Sequence, residues 1–132
     1  MVELPISGSS EKYTVNPSKI IALGLNYDEH VKERVFLNSK GLPLERPSEP
    51  VLFPKPPNVL IGPGEPIVIP GYLKEYDFED LRIDYEAELC IIIKDTCKNV
   101  PQEEAFDHIL GYTCMNDVSQ RNFQTTDKSG WF

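Results

Sequence analysis

Nine of the twelve prolines in this 132-residue chain fall between Pro43 and Pro70. Proline has a fixed φ and no backbone N–H to give to a ladder, so no strand through this stretch can run continuously through the middle of a sheet. Within Pro50 to Pro70 (PVLFPKPPNVLIGPGEPIVIP) three short apolar pieces, Val51 to Phe53, Val59 to Ile61 and Ile67 to Ile69, alternate with Pro and Gly. The spacing predicts short edge strands joined by fixed turns, wrapping a sheet whose central strands lie elsewhere.

Candidates for those strands flank the proline-rich segment. Lys19 to Leu25 (KIIALGL) reads as a buried strand, and Asp28 to Leu37 (DEHVKERVFL) as a short helix with Asn26 or Asp28 as N-cap. Asn38 to Ser48 reads as loop. Asp84 to Lys94 (DYEAELCIIIK) carries the strongest strand signal: period-two alternation puts Tyr85, Ala87, Leu89, Ile91 and Ile93 on one face, and Asp84, Glu86, Glu88, Cys90 and Ile92 on the other. Pro101 to Leu110 (PQEEAFDHIL) predicts a short amphipathic helix, with Pro at its start, Glu103 and Glu104 in its first turn, apolar residues at 105, 106, 109 and 110, and Gly111 beyond its end. Gly111 to Asn116 (GYTCMN) predicts a further strand. No internal repeat or low-complexity tract interrupts this order, and the size allows one domain.

Charge narrows the range of partners. Thirteen Lys and Arg stand against 21 Asp and Glu, a formal net charge of −8. Binding to phosphate backbones or anionic lipid relies on basic side chains displacing counterions, so neither nucleic acid nor membrane is an expected partner. There is no apolar run of about 20 residues, and Met1 to Ser10 lacks a basic start followed by an apolar stretch. Cys90, Cys97 and Cys114 form no CxxC pair and fit reduced thiols. A soluble protein of the cytoplasm is the expectation.

Three constellations could carry chemistry. Glu86 and Glu88, two apart on a strand, leave one face with Cα atoms about 6.6 Å apart. Two carboxylates aimed at one point repel unless a proton or cation sits between them. Asp117, at the end of a later strand, reaches the same point if the strands are neighbours, and three hard oxygen donors suit Mg²⁺ or Mn²⁺; the alternative is a solvent-facing row of acids. His30 and Glu33, three apart on the first helix, share a face. A carboxylate on one imidazole nitrogen fixes the tautomer and leaves the other nitrogen able to take a proton from water, against the alternative of a surface His beside an acid. Lys55, between prolines in FPKPP, is either a substrate-facing cation on a stiff loop or a solvated lysine. His108, in the second helix, reads as structural. Gly62-Pro63-Gly64 lacks the further glycines and following helix of a phosphate cradle, and no cysteine sits in a nucleophile motif.

Taken in order, GLNYDEHVKE (Gly24 to Glu33), PVLFPKPPNVLIGPGEPIVIP (Pro50 to Pro70), DYEAEL (Asp84 to Leu89), GYTCMNDVSQRNFQ (Gly111 to Gln124) and the terminal GWF resemble the fumarylacetoacetate hydrolase family from about Lys19 to Phe132. The resemblance implies an α+β, mainly β fold, a mixed β-sheet roll with a few short helices. It would be a single partial catalytic domain over residues 1–132: a lead-in over 1–18, a helix and lid over 28–48, and a β-rich metal-site region over 50–132. It implies Mg²⁺, with Mn²⁺ or Ca²⁺ possible in its place, held by Glu86, Glu88 and Asp117. It also implies a water-activating pair in His30 and Glu33, and substrate contacts from Gln124 and Arg121, with Lys55 added as a substrate-binding candidate.

The implied activity is hydrolytic cleavage of a carbon–carbon bond in a small acylpyruvate or diketo acid. Decarboxylation or isomerisation of 2-keto acids at the same site is the alternative, as is a non-catalytic metal-binding or assembly remnant. A homodimer is expected. Two departures from the family stand out. Where the family commonly reads SARD, this chain has Ser119-Gln120-Arg121-Asn122, which could weaken a supporting contact. The family also continues past a WF-like pair into a lysine-bearing block and further strands, so the roll is expected to be incomplete at the C-terminus.

Overall fold

The computed structural model describes residues 1–29 and 47–125. The expected helix over Asp28 to Leu37, with His30 and Glu33, and the terminal Gly130 to Phe132 lie outside the described residues, apart from Asp28 and Glu29. The chain divides into two compact units, Met1–Val68 and Ile69–Phe132.

The first unit holds two antiparallel strand pairs. β1 (Val2–Pro5) and β2 (Lys12–Val15) pair from Val2↔Val15 to Pro5↔Lys12. Gly8, at φ +75°, occupies the left-handed region that the reversal requires and that other residues rarely adopt. The lead-in expected over 1–18 is therefore largely a hairpin, and the polar stretch Ser7 to Ser10 is its turn. β3 (Ile20–Gly24) pairs with β4 (Val51–Lys55), with Ile20 opposite Lys55 and Ile21 opposite Pro54. β4 thus carries a proline and, among the described residues, pairs only with β3, as an edge strand does.

Two expectations in this unit are corrected. β3 alternates half-buried and exposed residues, with Ile21 57% and Leu23 44% exposed, because side chains alternate between the two faces of the β3–β4 pair and one face is left largely uncovered among the described residues. Neither Val59 to Ile61 nor Ile67 to Ile69 is a strand. Pro56 and Pro57 instead open a 3₁₀ turn over Pro57–Val59, and Gly64, at φ +81°, turns the chain again.

The second unit is built on a longer antiparallel pair, β6 (Ala87–Ile93) with β7 (Ile109–Asn116), running from Ala87↔Asn116 to Ile93↔Ile109. Just before β6 and just after β7, β5 (Ile83–Asp84) pairs with β8 (Ser119–Gln120). A single helical turn, α1 (Arg121–Thr125), follows. Its Phe123 ring meets Tyr76 at 4.8 Å and Phe78 at 5.4 Å, and Tyr76 stacks on Phe78 at 5.3 Å. This aromatic cluster joins α1 to the segment after a 3₁₀ turn at Gly71–Glu75, whose Leu73 is 4% exposed.

The amphipathic helix expected over Pro101 to Leu110 is a 3₁₀ segment, Gln102–His108, and Ile109 and Leu110 belong to β7. Ile109 pairs with Ile93, and that ladder outcompetes one more helical turn. Phe106, counted for the apolar face of a helix, is 75% exposed.

The chain is mainly β with few short helices. Every strand pair among the described residues is antiparallel, so the parallel neighbours of a mixed sheet do not occur among them. No helix among the described residues is long and apolar enough to cross a membrane.

Candidate active site

The two ladders of the second unit do not join. Asp84↔Ser119 ends one and Ala87↔Asn116 begins the other, leaving Tyr85 and Glu86 across from Asp117 and Val118. The break is closed by side chain and backbone together: the Asp117 N–H donates to the Glu86 carbonyl at 2.8 Å, and the Glu86 N–H donates to Asn116 Oδ1 at 3.0 Å. Ser119 Oγ donates to the Asp117 carbonyl at 3.3 Å. A gap in a ladder would leave backbone groups unpaired, so Asn116 substitutes for the missing strand partner and fixes Glu86 beside Asp117. In this way the backbones of two of the three candidate ligand residues are set side by side, although they are 31 residues apart in sequence.

Glu88 lies one step inside β6, on the same half-buried side as Cys90. Burial pushes the Cys90 thiol pKa above its ordinary 9.0, and the charges of Glu88, Cys114 and Asp117 push it further the same way. Asp117 is 6% exposed, unusual for an aspartate.

Glu86 is engaged by Arg121. Nη2 lies 2.6 Å from Glu86 Oε1, Nε donates to Asp84 Oδ2 at 2.7 Å, and Nη1 donates to Gln124 Oε1 at 2.8 Å. Burial works against the arginine charge, but the hydrogen bond to Asp84 and the charge and hydrogen bond of Glu86 outweigh it and hold the Arg121 pKa above its ordinary value. Arg121 and Gln124, expected as substrate contacts, are therefore joined to each other, and Arg121 positions two acids. Asn122, the departure from the family's Asp, donates from Nδ2 to the Asp80 carbonyl at 2.7 Å, and its Oδ1 accepts from the Arg82 N–H at 2.8 Å. It ties the segment before β5 to the start of α1.

Lys55 lies in the first unit, at the end of β4, with Nζ 5.6 Å from the Phe53 ring centroid. His30 and Glu33 are outside the described residues.

The described residues contain one grouping that the sequence did not suggest. Donor atoms of Asp95, Cys97 and His108 all lie within 4.8 Å of one another. His108 Nδ1 is 2.6 Å from Asp95 Oδ1, so this histidine, read as a helix residue, in fact faces the loop after β6. The carboxylates of Glu86, Glu88 and Asp117 do not reach that mutual distance here, since Glu86 is turned to Arg121. Chemically, however, a buried Asp with two half-buried Glu nearby is an all-oxygen donor set that fits a hard divalent cation.

A strand-rich unit with carboxylates gathered at a break between ladders defines a class of β-rich domain with an acidic site. Residues 19–132 match the fumarylacetoacetate (FAA) hydrolase C-terminal family, and the chain belongs to that family. An uncharacterized protein from Archaeoglobus fulgidus is 42% identical over 125 residues, 95% of this chain and 44% of that protein. The mitochondrial oxaloacetate tautomerase fahd2 of Xenopus laevis is 39% identical over 109 residues, 83% of this chain and 30% of that protein. Among solved structures, a protein assigned as HpcE from Mycobacterium smegmatis superposes with a TM-score of 0.69 at 27% identity, covering 89% of this chain and 36% of the other. The chain spans less than half the length of these relatives.

Proposed function

We propose that this chain supplies the carboxylate half of a metal-dependent enzyme that cleaves a carbon–carbon bond in a small acylpyruvate or diketo acid by hydrolysis. The observation carrying this reading is the backbone hydrogen bond at the ladder break, 2.8 Å from the Asp117 N–H to the Glu86 carbonyl, which sets one candidate ligand beside an aspartate only 6% exposed, with Glu88 one step inside β6 on the half-buried side. Glu86, Glu88 and Asp117 would hold the cation, Mg²⁺ by preference and Mn²⁺ or Ca²⁺ in its place. Such a cation supplies Lewis acidity to a chelated dicarbonyl.

The protein's own groups do the rest. Arg121 holds Glu86 and Asp84 in place, and Gln124, whose Oε1 accepts from Arg121, would offer its amide N–H groups to substrate. His30, oriented by Glu33, would take a proton from the attacking water at its free imidazole nitrogen. The substrate is a small keto or diketo acid, and the working form is a cytoplasmic homodimer.

A second reading, isomerisation of a 2-keto acid at the same site, is favoured by the Xenopus relative named as an oxaloacetate tautomerase. It dispenses with the water attack and hence with the need for His30 as base. The test is thermal unfolding of the chain with and without millimolar Mg²⁺ or Mn²⁺, for the parent, Glu88→Gln and His30→Ala. Metal should raise the transition of the parent and of His30→Ala, and that rise should shrink at least several-fold in Glu88→Gln. An equal rise in the parent and Glu88→Gln overturns the ligand assignment. Turnover of acylpyruvates against oxaloacetate then separates the two reactions.

A further inference from the structure

We propose that Asp95, Cys97 and His108 form a second metal site, at the far end of the β6–β7 pair from the acidic cluster, and that it takes a thiophilic divalent cation of the zinc class. Glu88 and Asp95 are seven residues apart along β6 and its continuation, so the two sites are separated by about 20 Å of strand.

The fold explains why the three meet. Beyond Ile93↔Ile109 the pairing continues one step, with the Lys94 N–H donating to the His108 carbonyl at 2.9 Å. Asp95 and Cys97 follow directly on that side. Asn99, at φ 55°, helps turn the chain into the 3₁₀ segment Gln102–His108, which returns His108 to the point from which the loop left. A sulfur, an imidazole nitrogen and a carboxylate oxygen then lie within 4.8 Å of one another. Donors around one tetrahedral zinc stand roughly 3.3 to 3.8 Å apart, from bonds of about 2.0 to 2.3 Å, so small rotations bring all three into one coordination shell.

Donor chemistry selects the metal. Thiolate and imidazole favour Zn²⁺ and its neighbours over Mg²⁺ or Ca²⁺, the reverse of the preference at the carboxylates. Asp95 and Cys97 are exposed and His108 is half-buried, which gives an ion a path from solvent and leaves the fourth position to water. A plain surface ion pair would account for His108 and Asp95, separated by 2.6 Å; the Cys97 sulfur within 4.8 Å of both adds the third donor that a metal needs and an ion pair does not. Binding exchanges a proton for the ion: Cys97 gives up its thiol proton, while the His108 imidazole offers one ring nitrogen and keeps its hydrogen on the other. The bound ion would clip the loop between β6 and β7 to the base of that hairpin.

The test is titration of the reduced chain with Co²⁺ as spectroscopic stand-in and with Zn²⁺ in competition, alongside native mass measurement. One equivalent of Co²⁺ should produce thiolate-to-cobalt charge-transfer absorption, and one equivalent of Zn²⁺ should displace it. Cys97→Ser should abolish the band, His108→Gln should weaken binding at least tenfold, and Cys114→Ser should leave the band intact. Glu88→Gln should also leave it intact, so failure of the acidic site and failure of this one give different results. Absence of the band in the parent, or its survival in Cys97→Ser, overturns the proposal.

Discussion

Arg121 concentrates more of the site's geometry than any carboxylate does. It is 20% exposed and contacts Asp84, Glu86 and Gln124 with separate nitrogens, a fork that lysine cannot reproduce. Arg121→Gln removes the positive charge between two acids that stay close together, and the expected loss is about 2 kcal/mol, read as a lower urea midpoint. Arg121→Lys should recover part of it, and equal midpoints for all three proteins would show the fork to be without structural weight. Asn122 gives a finer case, because Asp stands there in the family's usual motif. An aspartate at 122 would still accept from the Arg82 N–H but would turn an oxygen, instead of an N–H, towards the Asp80 carbonyl. Asn122→Asp should therefore lower the urea midpoint by an amount corresponding to about 1 kcal/mol with little change in slope. An unchanged midpoint would mean that the Asp80 contact contributes nothing.

Strand β6 shows how far alternation in the sequence carries, and where it stops. Its faces are as the period-two pattern predicts: Leu89, Ile91 and Ile93 on one side, Glu88, Cys90 and Ile92 on the other. β3, β4 and β7 were legible as strands because each is a short apolar run bounded by turn residues, although β3, expected to be buried, is only half covered. β5 and β8, two residues each, have no periodicity to read. The length and register of the pairing decide where the ladder breaks, so neither the Glu86–Asp117 bond nor the Arg121 fork was visible in the sequence. His108 was misplaced because a run such as EEAFDHIL fits a helix locally, while Ile109 is claimed by a partner 16 residues earlier.

The polar face of β6 also sets a pH response. Cys90 titrates above 9.0 in the folded chain, chiefly through burial and then through Glu88, Cys114 and Asp117. Between the unfolded pKa and this higher folded value the unfolded chain binds fewer protons, so stability is intact below pH 9.0 and is lost as pH rises through the folded pKa. Cys90→Ala should flatten that alkaline limb of an unfolding-against-pH profile. In alkylation at mildly alkaline pH, Cys97 and Cys114, both exposed, should be labelled before Cys90; labelling of all three at one rate would contradict the assigned face.

At the scale of the whole chain the dominant fact is how little is covered. Among the described residues only Leu73 is a buried hydrophobic, while Leu89, Ile91, Ile93 and Tyr112 are each more than half exposed. Leu89 pairs across the ladder with Cys114, and Ile91 with Tyr112, so these side chains make one continuous apolar face on β6 and β7. A two-stranded ladder is marginal by itself, and soluble monomers rarely expose a contiguous apolar face of this extent. The chain spans 44% of its Archaeoglobus relative, so a larger polypeptide has more surface with which to cover such a face. The 132 residues alone should accordingly bind an apolar dye such as ANS and show a solution mass that grows with concentration. Two substitutions on adjacent residues test the cause. Ile91→Lys puts a charge on the uncovered face and should lower both dye binding and association while strand ellipticity is kept. Ile92→Lys puts the same charge on the half-buried face and should instead reduce ellipticity and lower the unfolding midpoint by about 2 kcal/mol, the cost of placing a charge where an isoleucine packs. If the two variants behave alike, the uncovered face is not what drives association, because the two positions lie on opposite faces of β6.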